Sequence, residues 1–173
     1  MFWYVLFVQT GREHKIENFL KEQLDSNLFI PFVPLQETLF RIAGTVKKEL
    51  KPLFPGYIFV ESELTSQEFI RRTSTLLYAS HMIVGLLKYS DTEIAMRESE
   101  RRMLLSLCND GHCIESSSGI IEGTRIYITD GPLKGRESIV KKVNRHKRLA
   151  WIEMEFMGEL RRIGISLELV SKL

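Results

Sequence analysis

Residues Lys51–Glu61 read KPLFPGYIFVE. An apolar run, Tyr57–Val60, follows directly on Phe54-Pro55-Gly56. Proline and glycine ordinarily end strands rather than lead into them. Three aromatics, Phe54, Tyr57 and Phe59, crowd the junction. Side chains alternate along a strand, so Tyr57 and Phe59 share one face while Ile58 and Val60 share the other. One face has to meet helices. Whether the other is core or an exposed aromatic patch depends on what the rest of the chain brings to cover it.

Upstream, Phe2–Val8 is a continuous apolar run, the pattern of a strand buried on both faces. Thr10-Gly11 opens a helix whose Ile16, Phe19, Leu20 and Leu24 form one apolar stripe. Residues 28–41 are strand-like, with Pro31 and Pro34 placing them at an edge or bulge. Residues 43–51 read as a charged loop or hairpin tip. Downstream, Thr65-x-x-Glu68 is a capping box for a helix carrying Phe69, Ile70, Thr73, Leu76 and Leu77. Residues 81–87 give a fourth strand. Ser90-x-x-Glu93 is a second capping box, opening a helix to about Leu107 whose charged middle, MRESERR, belongs on the surface.

The order β-α-β-β-α-β is that of a ferredoxin-like, split βαβ unit: an antiparallel sheet with helices on one face. The third helix is too charged to cover the other face completely. An aromatic set is therefore expected to be half exposed there, the usual mark of a partner surface. On pattern alone, core strand and exposed patch stay balanced.

Residues 109–122, NDGHCIESSSGIIE, have no period and read as a linker. From Gly123 the texture changes to short strands (124–129, 138–143, 148–156 and 160–167) joined by the turns DGPLKG, NRHK and MGE. That spacing predicts a small barrel. The fold class is thus α+β, with domains at 1–108 and 123–173 joined by 109–122.

The chain is 44% hydrophobic and 27% charged, ordinary for a globular protein. No apolar run approaches the roughly 20 residues of a membrane helix, and the N-terminus lacks the basic region and cleavage site of a signal peptide. Two cysteines, Cys108 and Cys113, make no disulfide framework, so a reduced, cytoplasmic protein is expected. The net charge of +2 hides an asymmetry. Residues 1–108 are neutral overall, 109–122 carry three acids and no Lys or Arg, and 123–173 hold 11 basic against 6 acidic residues.

Catalytic chemistry finds no foothold. Gly131-Pro-Leu-Lys-Gly135-Arg-Glu-Ser138 has the wrong spacing for a phosphate loop and reads as a β-turn. Cys108, His112 and Cys113 lack the second ligand pair a structural zinc site needs. His14, His81 and His146 have no evident partner. A binding protein without cofactor or metal, not an enzyme, is expected. The densest charge cluster is Lys141, Lys142, Arg145, His146, Lys147 and Arg148, with Arg161 and Arg162 beyond it. On a hairpin tip such residues offer several phosphate contacts, each adding salt-dependent affinity for nucleic acid.

Trp3-Tyr4, Gly11 ahead of the first helix, and Phe54-Pro55-Gly56-Tyr57 resemble the N-terminal (NGN) domain of the NusG family. Residues 123–173, with IYITDGPLKG, resemble a KOW domain, an SH3-like barrel. The resemblance implies a transcription elongation factor whose first domain binds the clamp helices of bacterial RNA polymerase, touches upstream DNA and suppresses pausing. It assigns Trp3, Phe54 and Tyr57 to the polymerase and Lys47 and Lys48 to DNA. The KOW part departs from the housekeeping pattern. Leu133 and Arg136 replace the usual aromatics, Met157-Gly158-Glu159 replaces an aromatic-Gly-Arg turn, and Arg161-Arg162 replaces Thr-Pro. These changes speak against Rho and the ribosomal protein as partners and favour RNA. The chain looks most like a specialised antiterminator of the LoaP type acting as a monomer on leader RNA, with RfaH-type factors second. A housekeeping elongation factor and a ribosome-associated KOW protein are the alternatives.

Overall fold

The structure, a computed structural model, describes residues 1–172. In chain order its strands and helices are β1 (Phe2–Val8), α1 (Glu13–Gln23), β2 (Ile30–Phe32), β3 (Leu35–Ile42), β4 (Thr45–Pro52), β5 (Tyr57–Ser62), α2 (Ser66–Ala79), β6 (Ile83–Leu86), α3 (Glu98–Leu107), β7 (Cys113–Ile114), β8 (Ser117–Glu122), β9 (Arg125–Asp130), β10 (Val140–Asn144), β11 (Leu149–Phe156) and β12 (Glu159–Ser171). The fold is mixed α+β. The chain forms two compact units, one of Met1–Pro34 with Pro52–Arg101, the other of Leu35–Lys51 with the chain from Arg102 onward.

In the first unit the sheet order is β2-β5-β1-β6, each neighbour antiparallel. On one face Tyr4 stacks on Phe69 of α2, ring centroids 3.8 Å apart, and its hydroxyl donates to the Leu64 carbonyl. Ile16 and Leu20 of α1 are fully buried. The pairs Trp3↔Glu61, Val5↔Phe59 and Phe7↔Tyr57 define the other face. Here Trp3 meets Phe32 and Phe59 edge-on at 5.1 and 5.7 Å, and Phe54 stacks on Phe59 at 6.1 Å.

Several elements differ from the sequence pattern. Residues 28–41 form two strands, β2 and β3, because Val33-Pro34 interrupts the ladder. Most of 43–51 is the strand β4, and the turn is confined to Ala43-Gly44, both in left-handed backbone. The third helix begins at Glu98, not near Ser90. Ser90 Oγ does accept the Glu93 N–H, but this closes an isolated turn. Thr65 makes no side-chain cap on α2, and Glu68 turns instead to Arg71 and Arg72.

In the second unit the sheets run β4-β3-β7 and β10-β11-β12-β8-β9. The segment expected as a linker is mostly strand. β8 pairs parallel with Leu167–Ser171 of β12 and antiparallel with β9. Its first serine is structural: buried Ser117 accepts the Leu133 N–H at 3.0 Å. The β3–β4 hairpin belongs here as well. The Glu37 carboxylate accepts the backbone N–H and the hydroxyl of Ser116 at 3.2 and 3.1 Å, and Ser166 donates to the Glu37 carbonyl at 2.7 Å. The compact units therefore divide at different points from those the composition marks. Burial, followed by the neighbouring Cys113, pushes the Cys108 thiol up to about 12, so it stays protonated at neutral pH.

Candidate nucleic-acid interface

The Phe54-Pro55-Gly56 turn is held by a residue that pattern reading passed over. The buried carboxylate of Glu13, at the start of α1, accepts the Gly56 N–H at 2.7 Å and the Gly11 N–H at 3.0 Å. Val8 N–H closes the turn on the Gly56 carbonyl at 2.8 Å. Gly56 has φ +88°, a backbone conformation strained for any side chain, and a Cβ there would crowd Thr10 Oγ1 at 3.0 Å. Burial pushes the Glu13 pKa up, but hydrogen bonds from Gly11, its own N–H and Gly56, with His14, outweigh this and leave it below the usual carboxylate value. The only sequence signal was an acid two residues after a glycine ahead of a helix.

The aromatic face is closed at one end and open at the other. Trp3 is fully buried and Phe54 is 4% exposed, so neither presents its ring to solvent. Trp3 Nε1 donates to Glu61 Oε2 at 2.8 Å, the Met96 N–H donates to the Trp3 carbonyl, and the Arg101 guanidinium lies 5.4 Å above the indole. Met96, ahead of α3, and Arg101, in its first turn, thus cover the ring that the strand order alone leaves bare. Tyr57 is half-buried and packs at 5.4 Å on Phe7, which is 38% exposed. The open end of this face is the pair Phe7–Tyr57.

The basic residues do not form one patch. Lys47 and Lys48 lie within β4, not at its tip, and Lys48 is drawn 3.4 Å from Glu37. Arg145, His146 and Lys147 are exposed in the β10–β11 turn. Arg145, His146 and Arg148 line an open cleft of about 640 Å³ together with Glu168, Leu169 and Val170 of β12 and Arg41 of β3. Arg41 was absent from the sequence-derived set, because only the tertiary fold places β3 beside β12. Within the cleft Arg148 lies 3.6 Å from Glu168, and Arg145 donates to Ser171 Oγ at 3.1 Å.

Arg161 and Arg162 diverge, as neighbours on a strand must. Arg161 lies over Phe156, 4.6 Å from the centroid. Arg162 lies over Trp151 at 4.9 Å, and the strand register sets Lys142 directly opposite Trp151 on the other side. Lys141, across a bulge from this pair, is exposed. The positions that depart from the housekeeping pattern also separate. Leu133 and Met157 are buried, and Arg136 donates to Ser106 Oγ at 2.8 Å. They contribute packing and one polar contact, not an aromatic surface. Among the described residues no cluster of side chains suited to a metal is present, and no helix is long and apolar enough to cross a membrane.

Comparison with known proteins shows which family the chain is similar to. The family described as transcription termination factor nusG matches residues 1–105. Proteins named transcription termination/antitermination protein NusG are similar along most of the chain. That of Pasteurella multocida is 22% identical, covering 98% of this chain and 94% of its own length. That of Thermus thermophilus is 20% identical, covering 98% and 97%. That of Streptococcus pyogenes is 29% identical, covering 84% and 82%. With a family match across more than half its residues and relatives spanning nearly its whole length, the chain belongs to the NusG family of transcription factors.

Proposed function

We propose that this chain is a specialised antitermination factor of the NusG type, binding RNA polymerase through its first unit and leader RNA through the second. The strand order β2-β5-β1-β6 supports a ferredoxin-like NGN domain within residues 1–108, and β9 to β12 of the five-stranded sheet support an SH3-like KOW barrel in 123–173, to which β8 adds a strand from the preceding segment. The polymerase would dock on the open end of the aromatic face, at Tyr57 and Phe7. Trp3 and Phe54 would pack the closed end of the same face around Phe59, and the Glu13 clamp would fix the turn into Tyr57 beforehand, which lowers the ordering cost of docking.

The observation that carries the RNA reading is the cleft in which Arg41, Arg145, His146 and Arg148 face a single acid, Glu168. Such a surface suits a phosphate backbone and gives strongly salt-dependent binding. In this scheme Lys47 is left to upstream DNA. Transcription in vitro across intrinsic terminators, with varied leaders, tests the proposal. Readthrough that depends on one leader RNA is the expected result. Equal effects on every template would favour a housekeeping elongation factor instead.

A further inference from the structure

We infer that Trp151, Arg162 and Lys142 form a stacking platform for an unpaired RNA base beside the basic turn. The inference rests on the proposed RNA-binding role and names the part of the RNA that is read.

Three features coincide on the outward side of the β10–β11–β12 sheet. Trp151 is only half-buried, and its two cross-strand partners are Lys142 and Gly164. Gly164 lets the indole lie close against the strand: a Cβ there would approach Trp151 Cζ3 at 3.1 Å and Cη2 at 3.3 Å. Arg162, two residues before Gly164, places its guanidinium 4.9 Å from the indole centroid. A flat aromatic carrying a flat cation is a sequence-tolerant surface for a nucleobase, because every base has a π-face.

Charge sets the direction of the strand. Glu153 stands opposite Arg162 in the strand register, and Glu155 lies beyond it on the same side of β11. Phosphates are repelled there. On the other side Lys142 leads along β10 to Asn144 and the cationic turn Arg145–Arg148. An RNA backbone running along β10 from the turn would bring one base over Trp151. A duplex hides its base faces in the stack and could use only the turn.

The protein carries its own reporter. Its two tryptophans are Trp3 and Trp151, and Trp3 is fully buried. Emission of the intact protein is followed while a short unstructured RNA is added, and separately the same RNA annealed to its complement. Affinity is read in parallel by anisotropy of the labelled RNA. The single strand should quench emission and the duplex should not. Trp151→Ala should weaken single-strand binding about tenfold and leave duplex binding unchanged. Trp151→Phe should keep most of the affinity while abolishing the quench. Single-strand binding that leaves emission unchanged and is unaffected in Trp151→Ala would overturn the platform and leave the basic cleft as the RNA site. Failure of both RNAs to bind in a salt-dependent way would overturn the RNA-binding role and the platform with it.

Discussion

The two tryptophans sit under the same kind of cation and serve opposite ends. Trp3 has Arg101 at 5.4 Å, and Trp151 has Arg162 at 4.9 Å. Trp3 is sealed: its N–H is satisfied by Glu61, its edges meet Phe32 and Phe59, and the chain before α3 closes over it. Trp151 lies in an outward position with a lysine and a glycine as neighbours. An arginine above an indole therefore does not distinguish core from contact surface. What distinguishes them is whether other rings and a hydrogen-bond acceptor complete the enclosure.

The largest test of this contrast is stability. Trp3→Ala removes a fully buried ring and should cost about 4 kcal/mol, whereas Trp151→Ala should cost about 1 kcal/mol. Urea unfolding followed by circular dichroism reads both without depending on either fluorophore. Equal losses would break the comparison and place Trp151 in the core.

Next in size is the clamp beneath the FPG turn. Glu13→Ala leaves the Gly11 and Gly56 N–H groups without their buried acceptor and should cost about 2–3 kcal/mol. Because the folded pKa of Glu13 is lowered, its stabilisation is complete above the unfolded carboxylate value of about 4.3 and is lost as pH falls through the folded value. Acidification into that range should narrow the gap between wild type and Glu13→Gln. A melting-temperature gap that stays constant with pH would exclude the charge as the source of the effect.

Much of the fold was legible because its signals are local. The run FWYVLFV, the Ile16–Leu20 stripe and the alternation from 125 to 167 each identify an element from its own residues. What was not legible depends on pairing between distant segments. Nothing in SSSGIIE announces a strand, since β8 is fixed by β12 some fifty residues away. Arg41 reaches the basic cleft only because Glu37 and Ser166 tie β3 to β12. Trp3 was a surface candidate because its cover, Met96 and Arg101, lies in a stretch whose charge pattern suggested solvent, and Phe54 because its partner Phe59 is set by tertiary packing. The aromatic and basic character of the two candidate surfaces was readable. Which members of each set face outward was not.

A contrast between two aromatics, read mainly in a modest loss of affinity, separates docking from packing within the first unit. Phe54→Ala should destabilise the fold by about 3 kcal/mol, since the ring is buried against Phe59. Tyr57→Ala should change stability far less, yet lower affinity for core RNA polymerase by about 1–2 kcal/mol, roughly tenfold. If polymerase binding survives in folded Tyr57→Ala and in Phe7→Ala, the open end of the aromatic face is not the docking surface.

The smallest expected change is the most selective for the basic turn. The Lys147 side chain is exposed, and its backbone N–H, which donates to Asn144 Oδ1 at 3.0 Å, is kept in alanine. Lys147→Ala should therefore leave stability within about 0.5 kcal/mol. Its effect belongs in the salt dependence of RNA binding: one lost phosphate contact lowers the log–log slope by about 0.7 for a single strand. Trp151→Ala predicts the complementary result, weaker binding at an unchanged slope, because stacking releases no counterions. If both variants shift the slope alike, Trp151 acts by positioning its cationic neighbours. If Lys147→Ala also leaves the slope unchanged, the RNA backbone does not contact the β10–β11 turn at Lys147.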